Sequence, residues 1–147
     1  MARRVFFSFK YKDVSRAMIV RNSWVTQGRD AAGFIDAADF EKIKRQGDTS
    51  IKNWIDNQLR GTSVTVVLIG DKTCNSRWVK YEIQKSIAIG NGLLAIDVSK
   101  IKDLQGQTTD RCGRMVSNEY PLYYWNKDDG YENMGSWIEK AARKAGY

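Results

Sequence analysis

The amino-acid sequence predicts an α/β protein in which helices cover both faces of a parallel β-sheet. Apolar runs of strand length alternate with segments whose apolar residues recur at helical spacing, which is typical of β-α-β crossovers. Runs such as 63–70 and 93–98 are apolar almost throughout, which indicates strands buried on both faces. We therefore expect a three-layer sandwich with the flavodoxin-like strand order 2-1-3-4-5.

The predicted strands are short apolar runs separated by polar or glycine-containing turns. They cover residues 4–9, 33–37, 63–70, 93–98 and 122–125. Pro121 stands at the entry to the last run, where a missing N–H group is tolerated. These five runs are the strands of the expected sheet.

The predicted helices carry apolar residues three and four positions apart. They begin at Val14, near 48–50, near 75–76 and after Gly130. Residues 48–50 are Asp-Thr-Ser, which are favoured N-cap residues. Two segments stay ambiguous, because 38–44 fits either a loop or a turn of helix, and 100–118 fits a connector with one short helix.

The composition is that of a regular globular protein. Of the 147 residues, 42% are apolar, and 12 glycines stand against 1 proline, which argues against disorder. This length suits one domain, so we expect a single domain over residues 1–147. The first apolar run is about five residues long, too short for a signal peptide or a membrane span, and we expect a soluble cytoplasmic protein.

Missing residue types exclude several classes of chemistry. The chain has no histidine, so it cannot form a Ser-His-Asp or Cys-His triad or a zinc site that contains histidine. Its cysteines, Cys74 and Cys112, are too few for a structural zinc site, and in an intracellular chain we expect them to be free thiols. We expect no metal and no bound cofactor, and any chemistry must use carboxylates, Lys, Tyr, Ser or Cys.

The net charge of +7, from 24 Lys and Arg against 17 Asp and Glu, favours anionic partners. Nucleic acids and phosphorylated small molecules both meet that description. The basic residues are scattered singly, so we interpret the charge as one that aids solubility and the steering of anionic ligands towards the protein. We do not expect nucleic acid as a partner. Binding to DNA or RNA with a steep salt dependence would support the opposite interpretation.

The most informative segment is 75–83, which closely follows the third strand run. A helix that begins there lies at the carboxyl end of the strand, where open α/β sheets bind ligands. On a helical projection Val79, Ile83 and Ile87 form the core-facing stripe, and Glu82 falls inside it. A carboxylate there must be hydrogen-bonded, shifted in pKa or facing a cavity. A structural ion pair between Glu82 and a nearby Lys or Arg is the alternative explanation.

Three parts of the sequence together resemble the TIR-domain family. They are the first strand, 4–9, with Asp13 a few residues on, the short second strand with Asp36, and the helix start 78–83. The pairing of RVFFSF at 4–9 with WVKYEI at 78–83 is most similar to the TIR-like proteins of the bacterial Thoeris anti-phage defence system. The resemblance covers nearly the whole chain and is weakest at 100–118.

The resemblance implies that the protein cleaves NAD⁺ as a substrate, with a single carboxylate that matches Glu82. It implies an ADP-ribose-type product, cyclic in Thoeris systems, which reaches a separate effector protein as a diffusible nucleotide. It also implies self-association on activation. Val79 stands where the family often has a cysteine, which should be tolerated because that cysteine is not the nucleophile, and the segment after Asp36 lacks a clear match to the family's loop.

The reaction is plausible on chemical grounds for a chain without histidine. Cleavage between ribose and nicotinamide passes through an oxocarbenium-like state, and nicotinamide leaves without needing a proton. One carboxylate can therefore suffice, by holding the ribose hydroxyls and stabilising the developing positive charge. Attack by water gives ADP-ribose and attack from within the nucleotide gives a cyclic product, and the sequence leaves both open.

Five further residues are candidate substrate contacts, and most of them have a structural alternative. Ser8 and Phe9, at the end of the first strand, are placed to contact the nucleotide, although Phe9 fits a core position equally well. Lys10 can face the pyrophosphate or be a solvated loop lysine. Asp36 can contact substrate or cap the turn after the second strand, and Trp78 can stack on a ring or pack the start of its helix.

The main alternative function is a TIR-like interaction module without catalytic activity, in which substitution of Glu82 has no effect. A phospho-acceptor receiver domain shares the predicted fold but needs an acidic pair after the first strand. This chain has Ser8, Phe9 and Lys10 there, and only Asp71 fits the receiver pattern, so we set that class aside.

Overall fold

The computed structural model describes residues 3–27, 29–33 and 37–147. The strands are β1 (Arg4–Ser8), β2 (Asp30–Ala32), β3 (Val64–Ile69), β4 (Gly92–Asp97) and β5 (Leu122–Tyr124). The helices are α1 (Val14–Val25), α2 (Ala37–Arg45), α3 (Asp48–Leu59), α4 (Arg77–Ala88) and α5 (Gly130–Lys144). Short 3₁₀ turns occupy Tyr11–Asp13 and Thr73–Asn75.

The described strands form one parallel sheet in the order β2-β1-β3-β4-β5, which confirms the predicted fold class and strand order. Successive residues of a strand point to opposite faces, so the sheet supports two separate cores. Val5, Phe7 and Val66 pack against the layer formed by α1 and α5. Phe6 and Val67 point the other way, towards α3 and α4, which makes the three layers.

The second strand was predicted at 33–37, where residues 34–36 lie outside the described part of the chain, and the strand that the structure describes comes before that range. The observed strand β2 ends at Ala32, and α2 already begins at Ala37. Gly33 has a φ of +92°, and a Cβ atom there would lie 2.3 Å from the carbonyl oxygen of Phe7, so the close approach of the two backbones requires glycine. The residues of β2, Asp-Ala-Ala, have low strand propensity, which is why the sequence pattern favoured the more apolar residues that follow.

The two ambiguous segments differ in outcome. Residues 38–44 belong to a helix, α2, rather than a loop. The connector from 98 to 121 consists of turns and irregular backbone, so the short helix expected within 100–118 is absent. Across the described ranges, no helix combines the length and the apolar character needed to cross a bilayer.

Arg16, on α1, fastens this connector to the rest of the fold. Its guanidinium donates to the carbonyl oxygen of Ile101 at 2.8 Å and to that of Gln107 at 3.0 Å. It also forms a buried ion pair with Asp13 at 3.0 Å. The connector therefore has no regular secondary structure but is anchored to a buried charged side chain.

The two cysteines form the disulfide Cys74–Cys112, so the expectation of free thiols is wrong. Their Cα atoms lie 6.0 Å apart although 38 positions separate them in sequence. The connector crosses the carboxyl edge of the sheet here, because the N–H group of Cys112 donates to the carbonyl oxygen of Gly70 at 3.0 Å. This crossing brings Cys112 beside the 3₁₀ turn that contains Cys74 and precedes α4.

Candidate active site

A cavity of about 250 Å³ opens at the carboxyl end of β1, next to the start of α4. The order of the strands reverses between β1 and β3, and in open α/β sheets that point is where ligands bind. Aromatic side chains contribute much of the described lining: Phe7, Phe9, Tyr11, Trp54 and Trp78. Three lysines, Lys10, Lys12 and Lys44, also line it. The arrangement suits a ligand with planar rings and negative charge.

Glu82 lies on α4 in the wall of this cavity, with 7% of its surface exposed. The helix begins at Ser76, whose Oγ accepts a hydrogen bond from the N–H group of Val79 at 3.2 Å. Val79 and Ile83 are buried as the predicted stripe requires. The predicted core position of Ile87 is wrong, because its side chain is 49% exposed and faces a different surface cavity near the end of α4.

Ser8 holds the carboxyl group of Glu82 in place. Its Oγ donates to Oε1 of Glu82 at 2.6 Å, and both side chains are buried. Ser8 is the last residue of β1 and pairs with Val67 of β3, so its position is fixed by the centre of the sheet. No Lys or Arg among the described residues forms an ion pair with Glu82, and the ion-pair explanation for its burial is wrong.

Burial raises the pKa of Glu82 from its usual 4.5 to about 8, while the hydrogen bond from Ser8 lowers it. The carboxyl group of the protein alone therefore keeps its proton at neutral pH. A cationic group placed beside it would lower its pKa and favour the ionised form. Within the described lining of the cavity Glu82 is the one carboxyl group, so no second acid shares its proton.

A chain of hydrogen bonds fixes the turn of α4 that carries Glu82. The Oγ of Ser86 donates to the carbonyl oxygen of Glu82 at 2.6 Å and lies 2.7 Å from Oγ1 of Thr65 on β3. Asn91 donates to the same Thr65 oxygen at 3.3 Å. These buried contacts tie the helix to the sheet, which limits movement of the Glu82 backbone.

The structure brings three of the other predicted site residues to this cavity: Phe9, Lys10 and Trp78. Phe9 and Trp78 line it and also pack against core clusters, so their packing role is observed and their role as substrate contacts stays a prediction. The ammonium group of Lys10 has no hydrogen bond or ion pair within the described part of the chain. Ser8 contacts Glu82 rather than the cavity, and Asp36 lies outside the described residues.

Sequence analysis missed most of the other lining residues, among them Trp54, Lys12 and Lys44. Trp54 fits the apolar stripe of α3. Core packing was enough to explain a tryptophan at that position, and no feature of the sequence indicated that it lines a cavity. Lys12 forms an ion pair with Asp71 at 3.3 Å. Lys44 was not predicted because the sequence left its segment open between loop and helix. Its position at the cavity depends on the helix α2.

Comparison with known proteins gives the family. The family model described as Thoeris protein ThsB, TIR-like domain, matches residues 6–103, which include β3, α4 and β4. A protein of Bacillus cereus (strain MSX-D12) named "Putative cyclic ADP-D-ribose synthase ThsB1" is 50% identical over 140 residues, covering 93% of this chain and 72% of the relative. The resemblance expected from 4–9 and 78–83 is confirmed. The chain belongs to the Thoeris ThsB family of TIR-like proteins.

Proposed function

We propose that this protein cleaves NAD⁺ between nicotinamide and ribose and forms a cyclic ADP-ribose-type nucleotide that acts as a signal in anti-phage defence. The observation that carries the proposal is Glu82, a buried carboxyl group that accepts a hydrogen bond from Ser8 in the wall of an aromatic, lysine-rich cavity. The name of the 50% identical relative, "Putative cyclic ADP-D-ribose synthase ThsB1", supports the class of product.

The cavity is smaller than a typical ligand pocket of roughly 300–1,000 Å³. We therefore place the nicotinamide and its ribose inside it and the pyrophosphate at its mouth. Lys10 is the best-placed described cation for the pyrophosphate, because Lys12 is already paired with Asp71 and Lys44 with Glu41. Trp54 and Trp78 offer apolar surface to the ring.

Glu82 acts as the carboxylate that stabilises the transition state. The cationic nicotinamide favours ionisation of Glu82 when it binds, because a nearby positive charge lowers the pKa of a carboxyl group. As the C–N bond breaks, its electron pair leaves with nicotinamide, which becomes neutral and needs no proton. The positive charge moves to the ribose, where the carboxylate of Glu82 stabilises it.

The product depends on which nucleophile reaches the ribose carbon. Attack by water gives ADP-ribose, whereas attack by an oxygen or nitrogen atom of the same nucleotide closes a ring, and in both cases the attacking group gives up a proton to solvent. The burial of Glu82 limits the access of water, which favours ring closure. In this proposal the product diffuses through the cytoplasm to a separate effector protein, and self-association of the enzyme accompanies activation.

The test is nucleotide analysis of cells that make this protein, with and without phage challenge. The native chain is compared at matched protein level with Glu82→Gln and with Glu132→Gln, which removes an exposed carboxylate on α5. We expect NAD⁺ loss and a new cyclic ADP-ribose species with the native chain and with Glu132→Gln, and neither with Glu82→Gln.

Two outcomes would contradict the proposal. If all three chains leave the nucleotide pool unchanged under challenge while protection against phage persists, the non-catalytic interaction module is the better description. If Glu82→Gln consumes NAD⁺ like the native chain, the reaction does not depend on the carboxylate.

A further inference from the structure

A second cavity, of about 630 Å³, lies at the other end of α4. It is formed around the start of β4 by Ile87, Leu93 and Ala141, together with the segment 118–121. Its described lining shares no residue with that of the cavity beside Glu82. Its volume is within the range of roughly 300–1,000 Å³ that is usual for ligand sites. Nothing in the proposed reaction uses this cavity.

The charged residues that line this second cavity are mostly cations. Arg114, Lys140 and Lys144 stand against one carboxylate, Glu119. Lys140 has no hydrogen bond or ion pair within the described residues, and Lys144 donates only to the main-chain oxygen of Glu119, at 3.0 Å. The lining therefore carries more positive than negative charge, which favours an anionic ligand.

Arg114 is held in a fixed position without losing its charge. Its guanidinium donates to three main-chain carbonyl oxygens, those of Val116, Ser117 and Tyr120. Carbonyl oxygens orient the guanidinium but carry no formal charge, and no carboxylate among the described residues pairs with it. An oriented, uncompensated arginine is well suited to a phosphate group.

The same cavity has an aromatic wall. The rings of Tyr123 on β5 and Trp137 on α5 stack with their centroids 4.1 Å apart and their planes within 3°. Both residues are partly buried and line the cavity, next to the exposed Ile87. Aromatic and aliphatic surface of this kind suits the planar base of a nucleotide.

We propose that this second cavity binds a nucleoside phosphate. The base lies against the wall of Tyr123 and Trp137, and the phosphate lies at Arg114, Lys140 and Lys144. A free phosphate would leave the aromatic wall unused, and an uncharged nucleoside would leave the cations uncompensated, so the two features together specify a ligand that has both groups.

The five tryptophans of the chain make this proposal testable by NMR. Trp137 lines the second cavity, whereas Trp54 and Trp78 line the cavity beside Glu82. The indole N–H signals are assigned with single Trp→Phe variants and followed during titration with adenosine monophosphate. We expect the Trp137 signal to shift and to reach saturation with adenosine monophosphate. The affinities measured in the same way for adenosine and for inorganic phosphate should each be at least tenfold weaker.

A pair of neutralised lysines locates the phosphate. Lys140→Gln combined with Lys144→Gln should weaken the binding reported by Trp137 at least tenfold. The control combines Lys80→Gln with Lys102→Gln, which makes the same charge change at exposed residues that line neither cavity, and it should bind as the native chain does. Gln keeps the length and helix propensity of the side chain, and an unchanged spectrum without ligand verifies the fold.

Three outcomes would overturn the proposal. The first is a Trp137 signal that does not move while those of Trp54 or Trp78 do, which would place all binding at the first cavity. The second is equal weakening by both lysine pairs, which would mean general charge attraction. The third is an adenosine response as strong as that of the monophosphate.

Discussion

At the scale of single residues, Glu82 combines two properties that oppose each other in a folded protein. It is almost fully buried, which penalises its charge, and its described carboxyl contact is a single hydrogen bond from the neutral hydroxyl of Ser8. The fold therefore holds this side chain as a neutral acid until a positive charge arrives. This has measurable consequences for stability and for activity.

The first consequence is a pH-dependent stability. The pKa of Glu82 is about 8 in the folded protein and about 4.5 in the unfolded chain, so the unfolded chain loses this proton first as the pH rises. The stabilising contribution is fully present below pH 4.5 and is lost as the pH rises through about 8. We expect Glu82→Gln to remove this dependence, because glutamine is neutral at every pH.

The measurement is urea unfolding of the native chain and Glu82→Gln across this pH range. At pH 9 the variant should exceed the native chain in free energy of unfolding by an amount on the order of several kcal/mol, and the difference should shrink towards acid pH. Glu132→Gln, at an exposed site, serves as the control. Parallel profiles for Glu82→Gln and the native chain would mean that the carboxyl group is ionised in the folded state.

The second consequence concerns Ser8 as a positioning residue. The hydrogen bond from Ser8 lowers the pKa of Glu82, so Ser8→Ala should raise that pKa further and move the rise of kcat/KM to higher pH. A hydrogen bond to a charged group contributes about 1.5–3 kcal/mol, so we expect activity at pH 7 to fall by roughly tenfold or more.

The control for Ser8→Ala is Ser99→Ala, which removes another fully buried serine hydroxyl, one without a hydrogen-bond partner among the residues that the structure describes. Kinetics with NAD⁺ over a range of pH would distinguish the two variants. If both show the same activity loss with an unchanged pH profile, Ser8 has only a packing role.

At the scale of secondary-structure elements, the sequence predicted what depends on apolar patterning and missed what depends on long-range contacts. The runs 63–70 and 93–98 became β3 and β4 with small shifts of their ends, because strands buried on both faces must be apolar throughout. The strand β2 was misplaced because Asp-Ala-Ala carries no such signal. The disulfide was missed because no local pattern pairs cysteines across the connector.

The disulfide gives an element-scale prediction. The bond closes a loop between cysteines that are 38 positions apart. A disulfide that closes a loop of this length raises the free energy of unfolding by about 2–4 kcal/mol, because it restricts the unfolded chain. Under oxidising conditions Cys74→Ser should lower the free energy of unfolding by that amount, and so should Cys112→Ser. Thermal or urea unfolding measures the change.

The reduced protein is the internal control for this comparison. With a strong reductant the native chain should lose its advantage over both serine variants. An advantage that persists after full reduction would mean that the thiols stabilise the fold by packing, and equal stability without reductant would mean that the bond does not form in solution.

At the scale of the whole molecule, the strand order determines where the candidate site lies. Because order reverses between β1 and β3, the turns that leave these strands diverge and make room for the cavity beside Glu82. The sequence predicted both the place of this cavity and the position of Glu82 on its helix. The partner Ser8 and the wall residue Trp54 could not be assigned, because their roles depend on how α3 and α4 pack on the sheet.

The net charge of +7 is also easier to interpret in the folded molecule than in the sequence. Scattered lysines come together at two places, with Lys10 and Lys44 at the first cavity and Lys140 and Lys144 at the second. The sequence offered only a general solubility charge, because Lys10 and Lys44 are far apart in the chain and nothing near Lys140 and Lys144 in the sequence indicates a cavity beside them. The local positive charge at each cavity is what the two binding proposals depend on.

The buried Arg16 has a consequence for how the molecule opens. Its guanidinium holds Ile101 and Gln107 of the connector from α1, and separating that contact would leave buried polar groups without partners. We therefore expect the connector to open together with α1 rather than fray as an independent loop. The connector amides that donate hydrogen bonds to the main chain, such as those of Ile101 and Cys112, should be protected from solvent exchange together with the amides of α1, whereas its exposed amides without such bonds should exchange quickly.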